Sequence, residues 1–290
     1  MCRLGRVSRA GFYRGWEERA PQEAELALRA TVQQVVLAHR RRYGYRRVLR
    51  DLRNSGVTIG KARLQRIMRE DNLLAVRHRK YILTTESQHE YEAYLNLASR
   101  MTLSGINQLW IADITYIRLQ QEFVYLAVVL DRFSRKAIGW ALDKTLASRL
   151  VVDALQSAIA NRRPAPGLVH HSDRGVQYAC ADYIQLLKAH GIVPSMSRPA
   201  NPYDNAACES FMKTLKQEEI YCNRYRDFPE LSAHVEEFLE RYYNQQRLHS
   251  ALGYRTPEEF EQSYSIEAGG PIQIAATVTF TVPAATDAET

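Results

Sequence analysis

The sequence predicts an α/β domain preceded by a small helical domain, and three observations support this fold class. Apolar residues recur at helical spacing between residues 23 and 71. From residue 109 onward, β-branched and aromatic residues form runs of strand length joined by short polar connections. The hydrophobic content of 46% is enough for one substantial core and a small accessory domain. The second part of the chain should therefore form a sheet covered by helices.

Residues 1–76 are predicted to form a helical domain with three helices. These are expected at residues 23–42, 46–53 and 58–71, with Thr58 as the cap of the third. In the third helix Leu64, Ile67 and Met68 would face the core, while Arg63, Arg66 and Glu70 project from another side. This pattern indicates a helix-turn-helix in which Arg63 and Arg66 contact DNA. A plain helical hairpin is the alternative interpretation.

Residues 77–103 show no clear periodicity and are interpreted as a linker. After them, strands are predicted at residues 109–119, 123–131 and 136–142, and their short connections favour an antiparallel arrangement. A helix that begins after Thr145 should cover the sheet because it carries one wide apolar stripe. The stripe consists of Leu146, Leu150, Val151, Ala154, Leu155, Ala158 and Ile159.

The later elements complete the order βββαβαβα. A short strand at residues 168–171 is followed by helices at 182–190 and 206–219, the latter capped by Asn205 or Asp204. Residues 104–225 would then form the core domain, and residues 226–262 a C-terminal helical extension. The extension is marked by Leu231, Val235, Phe238, Leu239 and Tyr242. Residues 263–290 are expected to form a loosely held tail, although Val278, Phe280 and Val282 alternate with threonines as in a strand.

Positive charge is concentrated in the first part of the chain. Residues 1–80 contain 20 Lys and Arg against 7 Asp and Glu, a net charge of +13. Residues 81–290 contain 19 against 25, a net charge of −6. A basic segment suits a polyanion such as double-stranded DNA, because each phosphate neutralised by Lys or Arg releases condensed counterions. A solvated basic surface is the alternative.

The sequence argues against a membrane span, export and structural zinc. The longest apolar stretch, residues 123–130, is far shorter than the ~20 residues that a spanning helix needs. Arginines interrupt the N-terminal segment, so a cytoplasmic protein is expected. The four cysteines lie far apart without a Cys-x-x-Cys pair, which argues against both zinc and disulfide bonds. They are Cys2, Cys180, Cys208 and Cys222.

Three carboxylates fall where an acid is either costly or functional. Asp113 interrupts a predicted strand, where a buried charge needs compensation. Asp173 follows the strand at 168–171, and sites usually gather at the strand ends of α/β sheets. Glu209 lies in the first turn of its helix, which can present it to the same point. Because hard cations prefer oxygen ligands, these residues predict a site for Mg²⁺, or Mn²⁺ in its place, with two ions for phosphoryl displacement.

Basic residues flank these acids. Lys213 and Lys216 follow Glu209 on the same helix face, where an ammonium group would contact DNA phosphate. Arg174, next to Asp173, is assigned the same role. A solvated helix face is the alternative for the lysines.

Other polar residues near the predicted site receive ordinary structural roles. His171 ends a strand and is expected to be hydrogen-bonded, with a role in DNA contact or in orienting an acid as the less favoured alternative. Cys208 is expected to be a small packed side chain. Turn and capping roles suffice for Asp131, Asp143, Asp153 and Asp182.

Several motifs between residues 43 and 257 form a highly specific combination. They are Tyr43-Gly44-Tyr45-Arg46, the strand 110–116 with Asp113, the run 171–178 with Asp173, the run 195–206, the run 209–216 with Glu209, and Tyr243-Asn244-Gln245-Gln246-Arg247-Leu248-His249-Ser250-Ala251-Leu252-Gly253-Tyr254 with Thr256-Pro257. Together they resemble bacterial transposases of the insertion-sequence-three family. The resemblance covers about residues 10 to 260. One departure is Pro199-Ala200 before Asn201, where family members often carry a basic residue and glycine.

The resemblance implies a ribonuclease H-like catalytic core of the retroviral-integrase type, with a mixed five-stranded sheet flanked by helices. It implies that Asp113, Asp173 and Glu209 are the catalytic carboxylates. Its expected partners are the terminal repeats of the element and the target DNA, on which the protein would act as a homo-oligomer. A zipper-bearing upstream product, separate or fused, is also implied, since no sustained heptads occur near the N-terminus.

The function that these features favour is DNA transposition. Water would attack a phosphodiester at the end of the element, and the freed 3′-hydroxyl would then attack a second phosphodiester. A structure-directed nuclease of the same fold and a non-enzymatic DNA-binding regulator derived from a transposase are the alternatives. The intact set of three acids argues against the regulator, and the helix-turn-helix argues against a simple nuclease.

Overall fold

The computed structural model describes residues 23–75, 94–119, 122–197 and 205–267. The chain divides into two compact units, Met1–Val76 and Arg77–Thr290. The predictions made for residues 77–93, for Asp204, for Pro199 and Ala200, and for residues 278–282 lie outside the described residues.

In the first unit, the described residues 23–75 form three helices that bury one small core. They are α1 (Glu23–Ala38), α2 (Tyr45–Asn54) and α3 (Lys61–Glu70). The apolar face of each helix is buried, including Val32, Val36, Val48, Leu52, Leu64, Ile67 and Met68. The three predicted helices are therefore all present among the described residues, and the predicted core face of α3 is confirmed.

Two predicted helix ends in this unit were wrong. The first helix ends at Ala38 and not at residue 42, because Arg40 and Arg41 adopt left-handed conformations with φ of 48° and 59°. Such angles cannot continue a right-handed helix. The third helix starts at Lys61 with Gly60 in the capping position, so Thr58 lies outside the helix and does not cap it.

The second unit has five strands followed and interleaved by helices. The strands are β1 (Leu109–Arg118), β2 (Phe123–Asp131), β3 (Ala137–Asp143), β4 (Val169–Ser172) and β5 (Val193–Met196). The helices are α4 (Ser148–Arg162), α5 (Ala181–Ala189), α6 (Ala206–Glu218), α7 (Phe228–Glu236) and α8 (Pro257–Glu267). The predicted order βββαβαβα is confirmed up to α6.

The five strands form one mixed sheet in the order β3-β2-β1-β4-β5. β1, β2 and β3 pair in antiparallel fashion, whereas β4 pairs in parallel with β1 and with β5. β1 is thus the central strand, paired with β2 from Trp110 to Arg118 and with β4 from Leu109 to Ile111. Asp113 lies opposite Val128 of β2, two residues beyond the last pair with β4.

Helix α4 packs directly on β2 and β3 at a glycine. A Cβ at Gly139 would lie 2.5 Å from the main chain of Ala154 and of Ala158, so only glycine permits this approach of helix and sheet. The predicted stripe of α4 is buried except for Leu146, which is 43% exposed because the helix begins two residues later, at Ser148.

The C-terminal helices close the second unit. α7 continues into a wider π-helical segment, Glu237–Gln246, and the two form the longest helical stretch among the described residues. α8 begins with a capping box: Glu259 N–H donates to Thr256 Oγ1 (3.1 Å), and Thr256 N–H donates to the Glu259 carboxylate (2.9 Å). The helix reaches Glu267, past the predicted start of the tail at residue 263. None of the described helices is long and apolar enough to cross a membrane.

Candidate active site

Three elements of the second unit carry the predicted carboxylates. Asp113 is in the middle of β1, Asp173 directly follows the last residue of β4, and Glu209 lies in the first turn of α6. β1 and β4 are adjacent parallel strands in which Ile111 pairs with His171, so Asp113 lies beside Asp173 at the C-terminal end of β4. Glu209 is exposed, whereas Asp113 and Asp173 are partly buried.

The charges of the three acids act on one another. Burial, together with the charges of Asp173 and Glu209, raises the pKa of Asp113 to about 7 and so favours its neutral form. One oxygen of each aspartate is held by a main-chain N–H, from Ile114 to Asp113 Oδ1 (2.8 Å) and from Gly175 to Asp173 Oδ1 (2.9 Å). The structure therefore brings the three predicted acids together electrostatically.

The acids are neighbours without forming a closed ligand cage. Among the described residues, no three His, Cys, Asp or Glu side chains are already arranged around a single metal-sized point. Like-charged carboxylates repel one another, so side chains of this kind draw together only around a cation.

A buried serine–histidine network supports the strand that leads to Asp173. His171 bonds through Nδ1 to Ser195 Oγ (2.9 Å) and through Nε2 to Ser197 Oγ (3.1 Å), and its side chain is fully buried. Arg174 donates from Nε to the carbonyl of Ser197 (2.8 Å). The prediction that His171 is simply hydrogen-bonded is confirmed, since its two ring nitrogens tie β4 to the end of β5.

Asn205 and Cys208, which precede Glu209 in the chain, hold the start of helix α6 in place. Asn205 occupies the capping position, but its side chain makes no cap and donates instead to the carbonyl of Ala112 on β1 (3.2 Å). The predicted capping role of Asn205 was therefore wrong. Cys208 is fully buried, as predicted, and burial raises the pKa of its thiol well above the ordinary value.

The two lysines of α6 occupy different environments. Lys213 is exposed. Lys216 is buried, with its ammonium group 4.9 Å from the centre of the Tyr116 ring. Burial lowers the pKa of Lys216, and the nearby charge of Asp113 opposes that shift. Lys216 thus contributes a positive charge beside the carboxylates, which the sequence could not distinguish from a surface lysine.

The aspartates that were predicted to have turn or capping roles are found in turns or in surface ion pairs. Asp131 is fully buried and accepts hydrogen bonds from the main chain of Asn107 (2.7 Å) and Ser134 (2.9 Å). Asp143 accepts from the main chain of Thr145 (2.7 Å). Asp153 pairs with Arg149 on the surface of α4. These roles confirm the predictions for Asp131 and Asp143.

Comparison with known families places both units. The second unit matches two models described as "Integrase core domain", over residues 104–202 and 190–257. The first unit matches an "HTH-like domain" over residues 22–81. The mixed five-stranded sheet and the helix-turn-helix predicted from the sequence are therefore confirmed.

Curated relatives match along most of the chain. The insertion element IS600 31 kDa protein of Shigella sonnei is 35% identical, covering 91% of this chain and 98% of that protein. Transposase InsF for insertion sequence IS3A of Escherichia coli (strain K12) is 36% identical, covering 90% and 92%. The transposase for insertion sequence element IS904 of Lactococcus lactis is 34% identical, covering 77% and 89%. The chain belongs to the transposases of the IS3 family.

Solved structures similar to this transposase include retroviral integrases. A cryoEM structure of the simian T-cell lymphotropic virus intasome in complex with the PP2A regulatory subunit B56 gamma aligns with a TM-score of 0.48 and 22% identity, covering 77% of each chain. The HTLV-2 integrase catalytic core domain in complex with magnesium aligns with a TM-score of 0.42 and 18% identity, covering 54% of this chain and 97% of that one.

The C-terminal motif of the transposase clamps α6 to the sheet. Arg247 makes two hydrogen bonds of 2.8 Å to the two carboxylate oxygens of Glu218, at the end of α6. Asn244 both donates to and accepts from the main chain of Ala137 at the start of β3 (2.9 Å each). Because α6 carries Glu209, this buried clamp sets where that carboxylate stands relative to β1. The motif was recognised in the sequence, but its partners lie 29 and 107 residues away.

The predicted base-reading arginines of α3 are engaged by acids of the same unit. Arg63 forms an ion pair with Glu25 of α1, and Arg66 lies 3.7 Å from Glu70. Arg29 also pairs with Glu70. Both α3 side chains remain more than half exposed, so they stand at the surface among carboxylates.

A second set of basic residues was not singled out from the sequence. Arg46, Arg50 and Arg53 are exposed and spaced along one face of α2. Arg50 and Arg53 form no ion pair within the described part of the chain. At the start of α2, Arg46 Nε donates to the Tyr45 hydroxyl (3.2 Å), and Lys61 Nζ is 5.6 Å from the Tyr45 ring centre. Their helical spacing was the signal available in the sequence.

The raised pKa of Asp113 predicts how metal-free stability changes with pH. The folded protein holds this proton up to about pH 7, whereas the unfolded chain loses it near the ordinary value of 3.8. Asp113 therefore lowers the free energy of unfolding as pH rises from about 4 to 7. In EDTA, Asp113→Asn should melt higher than the parent by roughly a few degrees at pH 7.5, with a much smaller difference at pH 4.5.

Adding Mg²⁺ provides the control for this prediction. At pH 7.5 the cation should raise the melting temperature of the parent more than that of Asp113→Asn, because it compensates the ionised carboxylate. A difference between the two proteins that is equal at both pH values would contradict the assigned ionisation.

The clamp between α6 and the C-terminal motif predicts a stability cost. Arg247→Met leaves Glu218 without its partner in a buried site and should lower the free energy of unfolding by about 3–5 kcal/mol, measured by urea unfolding with tryptophan fluorescence. The double change Glu218→Leu with Arg247→Met should recover part of this loss, because no unpaired charge remains. Arg241→Met, at an exposed position, is the matched control. A double variant that is no more stable than Arg247→Met would argue against a paired charge.

Proposed function

We propose that this IS3-family chain cleaves DNA strands at the ends of an insertion sequence and joins the freed 3′-hydroxyl to a second phosphodiester, with Asp113, Asp173 and Glu209 as its catalytic carboxylates. The observation that carries the proposal is the electrostatic coupling of these acids at the centre of the sheet. The transposase names of the relatives support the same reaction.

The residues at this site fit divalent cations. Their donors are carboxylate oxygens, which Mg²⁺ and Mn²⁺ prefer. Burial and mutual repulsion disfavour the ionised form of Asp113, and a bound cation would remove that penalty. We propose that Asp113, Asp173 and Glu209 hold two Mg²⁺ ions, for which Mn²⁺ can substitute. When bound, the ions would stabilise charge on the attacking and leaving oxygens of an in-line displacement.

The chain's own residues orient the reacting groups. Asp113 and Asp173 are each fixed by a main-chain N–H, so these carboxylates need little reorganisation when substrate arrives. Exposed Glu209 stands on the solvent side, where the phosphodiester would approach. The attacking group is water in the first step and the 3′-hydroxyl in the second, and both steps use the same carboxylates.

Basic residues around the carboxylates are proposed to hold the DNA backbone. Exposed Lys213 would contact a phosphate one turn beyond Glu209. Lys216 would act at the reacting phosphate itself, because its buried ammonium group lies close to Asp113. Arg174, next to Asp173, would contact the strand on the other side.

The first unit is proposed to bind DNA with two sets of arginines. The exposed row Arg46, Arg50 and Arg53 on α2 would contact phosphates, since Arg50 and Arg53 have no acidic partner in the described chain. Arg63 and Arg66 on α3 would read base edges after exchanging their carboxylate partners for DNA.

We further propose that the protein acts in the bacterial cytoplasm as a homo-oligomer on DNA, together with a zipper-bearing upstream product. Residues 1–76 would serve as the DNA-binding domain, 77–103 as the linker, 104–225 as the catalytic core and 226–262 as its helical extension. The family membership of the chain supports this organisation.

Removing any one carboxylate should abolish strand cleavage. Asp113→Asn, Asp173→Asn and Glu209→Gln should each reduce cleavage of labelled element ends in Mg²⁺ by more than about 100-fold, because even residues that only support metal ligands are worth about 10- to 100-fold. Asp153→Asn is the matched control, since that aspartate pairs only with Arg149 on the surface of α4.

The products distinguish the competing functions. Near-parental cleavage by any one of the three variants would remove that residue from the site. Cleavage by the parent without joining to target DNA would indicate a nuclease, and binding without cleavage would indicate a regulator.

The two arginine sets should respond differently to salt and to DNA sequence. In the full chain carrying Asp113→Asn, which prevents cleavage, Arg50→Ala or Arg53→Ala should reduce the slope of log affinity against log salt by about 0.9 on any duplex. Arg63→Ala or Arg66→Ala should instead reduce the preference for element ends over random DNA by about 1–3 kcal/mol. Arg226→Ala, an exposed position in the second unit, is the control.

The phosphate role of the α2 arginines and the base-reading role of the α3 arginines can be contradicted independently. Equal weakening on both DNAs by the α3 variants would make Arg63 and Arg66 phosphate contacts. An unchanged salt slope in the α2 variants would exclude the arginine row from the DNA interface.

A further inference from the structure

A pocket of about 300 Å³ lies at the start of β1, beside the turn between β2 and β3. Its lining consists of Ala98, Met101, Leu103, Leu109, Arg132 and Phe133. Leu109 and Asp113 are four residues apart on β1, so the pocket is about 13 Å back along the strand from the carboxylate site. A ligand here would not touch the catalytic carboxylates.

Arg132 places a positive charge in this apolar lining. The side chain is partly buried, and burial lowers the pKa of its guanidinium group, with the charge of Arg135 adding to the effect. Neither arginine forms an ion pair within the described ranges. A partly buried charge without a partner costs free energy, so the folded protein retains Arg132 at the expense of stability.

The carboxylates nearest in the fold are already engaged elsewhere. Asp131 is turned into its own loop, where the main chain of Asn107 and of Ser134 satisfies it. On α8, Glu258 pairs with Lys136, and Glu261 pairs with Lys136 and Arg162. None of these carboxylates therefore forms an ion pair with Arg132.

We propose that this pocket binds an acidic side chain of a protein partner, in a segment where Asp or Glu is flanked by an apolar residue. The planar fork of a guanidinium group matches a carboxylate in two parallel hydrogen bonds. The volume is at the low end for ligand pockets and accommodates one or two side chains. Met101, Leu103 and Phe133 would cover the apolar part.

Two features favour a peptide over the DNA backbone as the occupant. A pocket of about 300 Å³ holds one or two side chains, whereas a phosphodiester carries its charge on a wide, hydrated chain. Leu95, three residues before Ala98 in the chain, is 80% exposed and offers a further apolar side chain to a partner.

Methyl NMR of the full chain, with ¹³C-labelled methionine methyls, tests this proposal. Met101 lines the pocket, while buried Met68, Met196 and Met212 report on the rest of the protein. The probe is the blocked peptide acetyl-Leu-Glu-Leu-amide, and the matched control peptide has Gln in place of Glu. The Glu peptide should shift the Met101 signal alone, and the Gln peptide should bind at least roughly tenfold more weakly.

Variants of the arginine complete the test. Arg132→Gln should abolish selectivity for the Glu peptide, whereas Arg149→Gln, on the exposed face of α4, should leave it unchanged. Because Arg132 forms no ion pair with any described residue, Arg132→Gln should melt at the parental temperature or higher. A lower melting temperature would mean that Arg132 has a structural role, and would overturn the proposal.

The remaining outcomes also overturn it. No Met101 shift at millimolar peptide would exclude a binding site. Equal shifts with the Glu and Gln peptides would leave an apolar groove without charge recognition. Displacement of the Glu peptide by inorganic phosphate at equal concentration would indicate a simple anion site, and displacement by duplex DNA would assign the pocket to the DNA backbone.

Discussion

Mutual repulsion among three carboxylates at the centre of one sheet is the constraint on which the second unit depends. Asp113 is in the middle of the central strand, where both burial and the charges of Asp173 and Glu209 favour its neutral form. The surrounding structure tolerates this cost because it holds the acids on separate elements. Each aspartate is fixed by a main-chain N–H, and the ammonium group of Lys216 lies close enough to offset part of the charge.

Much of the remaining fold keeps α6 in place against that repulsion. The helix is tied to β1 through Asn205 at its start and to the C-terminal motif through Glu218 at its end. The motif in turn holds the start of β3 through Asn244. The edge strand β3, helix α6 and the C-terminal motif are thus joined by buried polar contacts, which specify one geometry better than apolar packing alone. This explains why a signature so far from the acids in sequence accompanies them.

The charged residues of the two units follow different rules. In the first unit, carboxylates and arginines form ion pairs where α1 packs against α3. Arg46, Arg50 and Arg53 on α2 are exposed. In the second unit, cations near the β2–β3 turn are matched by acids on α8, except for Arg132 and Arg135. An anionic partner gains most binding free energy from basic side chains that form no internal ion pair, since no such pair has to be broken first.

The sequence alone determined which elements form, and it singled out three acids whose charges the structure couples. Strand and helix periodicities gave the order βββαβαβα, because burial of one face imposes a repeat that is local in the chain. Asp113 was recognisable because a carboxylate within an apolar strand carries a desolvation cost, and the apolar neighbours that cause this cost are adjacent in sequence. Helix ends were less accessible: left-handed Arg40 and Arg41 end α1, and Gly60 rather than Thr58 begins α3. Only the tertiary structure decided that Asn205 bonds to β1, that Lys216 is buried over Tyr116 while Lys213 is exposed, and that Arg247 clasps Glu218. These contacts join residues up to about a hundred positions apart, and side-chain partners at such separations are set by how the elements pack, which no local pattern encodes.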